Sequence, residues 1–108
     1  MSRVMIVTSV PAEQGDGVRQ ALADTGAGVW GEYTCCSFSY VGTGRFLPND
    51  TANPRVGQRN VVNTVAEERI EVTCDRRTAK QVITAVRQVH LYEEPVITIM
   101  PLLDEAEL

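Results

Sequence analysis

Three groups of residues in this sequence carry side chains that could do chemistry. His90, Glu93 and Glu94 fall within five positions. Imidazole and carboxylate are competent ligands for Zn or another divalent ion, and these three can converge at a helix end. A divalent metal is therefore the candidate cofactor, with none certain. The alternative is structural. A histidine in the last turn of a helix interacts favourably with the C-terminal carbonyls, and Glu94 is held extended by Pro95 behind it. Tyr92 can anchor the same turn through its ring and hydroxyl. No Cys-x-x-Cys and no second histidine supports a metal, so the structural reading is favoured.

The second group lies between residues 42 and 65, where Arg45, Arg55 and Arg59 occur among Gly42, Gly44 and Gly57. Arginine forks and exposed backbone N–H groups suit phosphate or carboxylate. Arg45, Arg55, Arg59, Gly44 and Gly57 are thus the candidate ligand-binding residues, for a small anion. No Gly-x-x-x-x-Gly-Lys-Ser signature is present. The competing reading, that these arginines pair with glutamates of a neighbouring subunit, is favoured. The third group is Cys35, Cys36 and Cys74, thiols suited to a soft metal or a redox role. Cys74 falls on the apolar side of its strand, where free cysteine behaves as a small hydrophobe. Adjacent residues of a strand face opposite ways, so Cys35 and Cys36 are poor candidates for pairing with each other. A nucleophilic cysteine needs a base, and His90 is the sole histidine. No catalytic pair is visible, and the chain is expected not to be an enzyme.

The elements that must position these groups follow from periodicity. A first strand, residues 3–10, is apolar on both faces, as a central strand is, and Pro11 stops it. A helix from about Glu13 to Thr25 places Val18, Ala21, Leu22 and Thr25 on one face, and Gly26 and Gly28 end it. A second strand is expected over 32–41, rich in Tyr, Thr, Cys, Phe and Ser. Residues 42–65 have no sustained periodicity and read as a long functional loop, although Arg45-Phe46-Leu47 can extend the preceding hairpin. A third strand, 66–74, alternates, with Ile70, Val72 and Cys74 on one side and Arg69, Glu71 and Thr73 on the other. Asp75 can cap a second helix to about Val89 whose stripe is Ala79, Val82, Ile83, Val86 and Val89. A last strand covers 96–100. One domain, 1–103, is expected, with 104–108 as an acidic mobile tail.

The order β-α-β-β-α-β is α+β and ferredoxin-like: a four-stranded antiparallel sheet with two helices on one face and a long loop between strands 2 and 3. Its other face is bare yet partly apolar, which predicts oligomerisation through that side. Size and charge agree with a single self-sufficient core. The chain has 108 residues, with 10 Lys+Arg against 14 Asp+Glu for a net charge of −4. An acidic surface argues against nucleic acid or an anionic membrane as partner. No apolar stretch approaches the roughly 18 residues of a membrane span, and the N-terminus has no signal-peptide pattern. With an odd number of cysteines, three, a reducing cytoplasm is the expected compartment.

Several runs carry a resemblance across nearly the whole chain. They include Val10-Pro11, Val18-Arg19-Gln20-Ala21-Leu22, Gly26-Ala27-Gly28, Gly31-Glu32-Tyr33 and Cys36-Ser37-Phe38-Ser39. Gly42-Thr43-Gly44-Arg45-Phe46-Leu47-Pro48, Asn53-Pro54-Arg55-Val56-Gly57, Glu68-Arg69-Ile70-Glu71 and His90-Leu91-Tyr92-Glu93-Glu94-Pro95 continue it. The sequence resembles the domain inserted in bacterial YqfO-type (Nif-three-like) proteins, here as a stand-alone protein, within the wider PII/CutA-like grouping. The resemblance implies a homotrimer assembled through its sheets, with ligand sensing or protein docking through the 42–65 loop and intersubunit clefts. CutA-like divalent-ion binding at His90–Glu94 is the alternative it implies. Full-length YqfO-type proteins hold a dinuclear metal site on a separate α/β domain. A chain of 108 residues with one histidine cannot contain that site, so the resemblance does not bring the hydrolase activity with it. A separately encoded metal domain is a candidate protein partner. Leu91 stands where a Pro is usual, and Asn60 where a Gly is common.

Overall fold

The computed structural model describes residues 2–108. The strands are β1 (Arg3–Pro11), β2 (Phe38–Phe46), β3 (Asn63–Asp75) and β4 (Ile97–Leu102), and the helices are α1 (Gly15–Asp24) and α2 (Ala79–Val89). A short 3-10 turn leads into each helix, Ala12–Gln14 and Arg76–Thr78. The sheet order is β2-β3-β1-β4 with every pair antiparallel. This is the ferredoxin-like arrangement expected from the sequence.

The core forms because even-numbered positions of β1 point at the helices. Val4, Ile6 and Val10 pack with Ile70, Val72 and Cys74 of β3, Val18 and Leu22 of α1, and Val82 and Val86 of α2. Both helices therefore cover one face. Val82 and Val86 are completely buried, whereas Val89, expected in the same stripe, is 46% exposed. Asp75 acts as the cap read from the sequence, accepting from the Arg77 N–H at 2.8 Å, but it caps the 3-10 turn that feeds α2. Its carboxyl is held down to about 2 by the Arg77 side chain and N–H. Helix α1 ends in a Schellman turn, with Ala27 N–H donating to Leu22 C=O at 3.3 Å and Gly26 at φ +83.

Two expectations fail. The strand expected over 32–41 does not begin until Phe38, because the backbone turns through positive φ at Gly28, Gly31 and Cys35. An isolated bridge between Trp30 and Tyr33 closes that turn, with the Arg3 guanidinium stacked 4.5 Å above the Trp30 ring. The expected loop 42–65 is also too long by half. β2 runs on to Phe46 and β3 starts at Asn63, in register from Phe38↔Glu71 to Phe46↔Asn63. Only 47–62 is loop. The end of this hairpin overhangs β1, whose pairing with β3 stops at Pro11↔Glu67.

On the bare face, register aligns Met5 with Met100, Phe38 with Glu71 and Tyr40 with Arg69. Phe38 is 64% exposed and touches Tyr40 at a ring separation of 6.1 Å. Residues Glu105–Glu107 form a 3-10 turn capped by Asp104. No helix among the described residues is long and apolar enough to cross a membrane.

Candidate functional site

The overhanging hairpin, the 47–62 loop and the segment 90–96 enclose a cleft of about 360 Å³. Arg45, Arg55 and Gly44 line it, together with Glu67, Tyr92, Glu93 and Glu94. The structure thus brings together three of the five residues proposed for an anion and two of the three proposed for a metal. Arg59, Gly57 and His90 lie outside it.

The loop owes its order to side chains bonding its own backbone. The Asn49 carboxamide oxygen accepts from the N–H groups of Thr51 and Ala52 at 3.1 and 3.0 Å. Asn63, at the start of β3, accepts from Gln58 N–H at 3.0 Å and donates to the carbonyls of Gln58 and Val61. Arg59 donates from Nε to the Ala52 carbonyl, which makes it a brace of the loop. Gly57 has φ +89, and a Cβ there would lie 2.7 Å from the Asn63 side chain, so its role is conformational. Asn60 takes φ +63, and its side chain bonds Asp50 at 2.7 Å. Asparagine tolerates this left-handed conformation, so the residue standing where the resemblance expects glycine keeps a glycine-like backbone.

The 90–95 segment fastens the cleft from below. Glu93 accepts from Asn53 N–H with both carboxylate oxygens, at 3.1 and 3.2 Å. Tyr92 donates its hydroxyl to Glu67 at 2.5 Å, and its ring packs on Phe46 at 5.9 Å and His90 at 5.3 Å. Burial, and then the Glu67 carboxylate, push this phenol well above its ordinary range. Glu67 lies over Gly44, where a Cβ would meet the carboxylate at 2.0 Å. A side chain at 44 would push the Glu67 carboxylate out of this position. Sequence reading missed Glu67, although a glycine opposite the wet face of an alternating strand is a signal for such an approach.

His90 is 4% exposed and both ring nitrogens are engaged. Nε2 lies 2.8 Å from the Ser9 carbonyl, and Nδ1 accepts from Tyr92 N–H at 3.2 Å. That pair of bonds fits the neutral ring with its proton on Nε2. Burial holds the imidazole below its ordinary 6.5, against the opposing pull of the Ser9 carbonyl and Glu67. The ring closes onto β1 and not, as expected, onto the carbonyls of its own helix. His90, Glu93 and Glu94 do not converge, and among the described residues no three His, Cys, Asp or Glu side chains are placed to share an ion. Neither Arg45 nor Arg55 forms an ion pair with another described residue.

The same fold and related sequences occur in known proteins. Over 96 residues the chain is 44% identical to the "GTP cyclohydrolase 1 type 2 homolog" of Mycobacterium tuberculosis, a match covering 89% of this chain and 25% of that protein. A crystal structure of a Bacillus cereus protein related to NIF3 superposes with a TM-score of 0.83 at 34% identity, covering 95% of this chain and 26% of the other. The chain is a relative of one segment of the NIF3-related proteins. It spans about a quarter of the length of the curated NIF3-type relatives it matches. No family model matches the sequence. The "periplasmic divalent cation tolerance protein CutA" of Archaeoglobus fulgidus superposes at a TM-score of 0.70 with 15% identity, covering 94% of this chain and 85% of that one. That likeness establishes a PII/CutA-like fold for this chain.

Proposed function

We propose that this domain is a cytoplasmic ligand-binding module, assembled as a homotrimer through the bare face of its sheet. Its cleft beneath the 47–62 loop takes a small molecule bearing a carboxylate or phosphate. The observation that carries the reading is the pair Arg45 and Arg55, which line a formed cleft without ion pairing among the described residues. Arginine forks left free in a partly apolar cleft suit bidentate anions. Phe46, Pro48 and Val96 supply apolar wall for the rest of the ligand. His90, the sole histidine, is committed to Ser9 and Tyr92, and the Tyr92 hydroxyl is held on Glu67 with its pKa pushed up, which favours a binding role over a catalytic one. Exposed Phe38 and Tyr40 on the bare face support the assembly, and the free thiols at Cys35 and Cys36 fit a reducing compartment.

A thermal-shift screen of nucleoside triphosphates, inorganic phosphate and small di- and tricarboxylates tests the reading. A ligand at about 100 times its Kd stabilises by about 2.7 kcal/mol, and Arg45→Ala with Arg55→Ala should abolish the shift. Silence across the panel, or a shift that survives both substitutions, would overturn the cleft assignment. A monomer in light scattering at micromolar concentration would overturn the trimer.

A further inference from the structure

Cys35 and Cys36 do not lie in a strand, and the argument that sends them to opposite faces does not apply. Cys35 has φ +58, a left-handed backbone that an L-residue adopts at a cost of about 1–2 kcal/mol. β2 begins only at Phe38. Both cysteines are exposed, and both line one cleft of about 370 Å³ beside Asp16, Arg19 and Gln20 of α1. Their backbone is pinned. Cys36 N–H donates to Gly28 C=O at 2.8 Å, and Gly28 N–H donates to Thr73 C=O of β3 at 2.8 Å. Gly28 sits at φ +76, so close to the pair that a Cβ would lie 2.4 Å from the Cys36 carbonyl oxygen. Two adjacent exposed cysteines thus line one cleft on a backbone that tertiary contacts hold in a costly conformation, and such outliers collect at functional sites.

We propose that Cys35 and Cys36 form a vicinal-dithiol site that chelates one thiophilic centre of the trivalent-arsenical class, both sulfurs bonding the same atom. Chelation fits better than a disulfide. Adjacent Cα atoms are about 3.8 Å apart across a trans peptide, short of the roughly 4.4–6.8 Å that a relaxed disulfide spans. An inserted atom lets the sulfurs stand wider apart. With phenylarsine oxide the balance closes without oxidant or reductant. Two As–S bonds replace the arsenic–oxygen double bond, the two thiol protons leave on that oxygen as water, and arsenic stays trivalent. Cys74 does not compete: it is buried against the helices, and burial raises its thiol above the ordinary value.

The test uses the full chain, reduced and treated with one equivalent of phenylarsine oxide, read by intact mass and free-thiol count. Wild type and Cys74→Ala should each take one adduct that consumes two thiols, survives excess glutathione and is stripped by dimercaptopropanol. In Cys35→Ser and Cys36→Ser, loss of the second bond should lower resistance to glutathione by about 10²–10⁴-fold, the usual gain from an intramolecular second contact. Circular dichroism of both serine variants confirms that the fold is kept. A glutathione-resistant adduct in either serine variant would overturn the proposal. So would a wild-type adduct that glutathione removes as fast as it does from them.

Discussion

His90 is the only histidine in the chain, so stability between about pH 7.5 and 5.5 reports on one side chain. In the folded protein the neutral ring donates from Nε2 to Ser9 and accepts at Nδ1 from Tyr92 N–H. A second proton would sit on Nδ1 and face the Tyr92 N–H, donor against donor. The ring is also almost wholly buried, and its pKa lies below the ordinary 6.5. The sign follows from proton counting. Below 6.5 the unfolded chain binds a proton that the folded chain refuses, so stability falls as pH falls. The contribution is complete above 6.5 and is lost progressively toward the lower folded pKa. If the folded ring took up no proton at all, the loss between pH 7.5 and 5.5 would reach about 1.4 kcal/mol, which sets the ceiling.

Urea denaturation at fixed protein concentration measures this as a lower midpoint at unchanged m-value. His90→Gln is the matched control. Its amide N–H can take the place of Nε2–H toward Ser9, while the Tyr92 contact is lost at about 1 kcal/mol. The variant should be less stable at pH 7.5 and flat across the window. Asp75 does not blur the reading, because its carboxyl titrates between 3.8 and about 2. Equal wild-type stability at pH 7.5 and 5.5 would refute the reasoning, as would an undiminished pH dependence in His90→Gln.

Three further outcomes are expected. Tyr92→Phe removes the bond to Glu67; a hydrogen bond to a charged group is worth about 1.5–3 kcal/mol, and the lower end applies to this half-buried pair, read as a shift in the urea midpoint. Asn63→Ala removes three bonds into the loop, at a cost of about 1–2 kcal/mol, and limited proteolysis should newly cut within 47–62 while the sheet stays intact. Glu68→Ala frees Arg19 of α1 from β3 while Asp16 and Ser39 remain its partners; a destabilisation of about 1–2 kcal/mol is expected for this partly screened pair, and no change in the urea midpoint would show that the pair contributes nothing.

The fold was legible because its elements repeat a period that a sequence displays. Val82, Ile83 and Val86 mark a helix, and Ile70, Val72 and Cys74 mark a strand with one wet face. The errors fall where tertiary contact overrides composition. Residues 32–37 are rich in β-formers, yet glycines at φ +76 and +58, with Cys35 at +58, turn the chain there. Gly42 and Gly44 look like loop residues, yet Gly44 is a strand position vacated for the Glu67 side chain. Of the candidate site, Arg45, Arg55, Glu93 and Glu94 could be found from residue type alone. Their convergence could not, since Glu93 meets Asn53 forty positions away and His90 meets Ser9 across 81.

Those long-range bonds explain why the 90–95 segment, which has the composition of a metal site, is built as a clasp. The β1–β4 ladder ends at Thr8↔Ile97, and His90 takes the next carbonyl of β1. Thr8 secures the same edge by donating its hydroxyl to Val96 C=O at 3.1 Å. Two further polar groups of the segment fasten different elements: Tyr92 the β2–β3 hairpin through Glu67, and Glu93 the loop through Asn53. An ion at His90 would have to displace one of two backbone partners of a buried ring. An ion at Glu93 would have to share a carboxylate that already accepts from the Asn53 N–H of the loop. Of the three donors that made the segment look like a metal site, His90 is thus committed to β1 and Tyr92, and Glu93 to the loop that lines the cleft with Arg45 and Arg55.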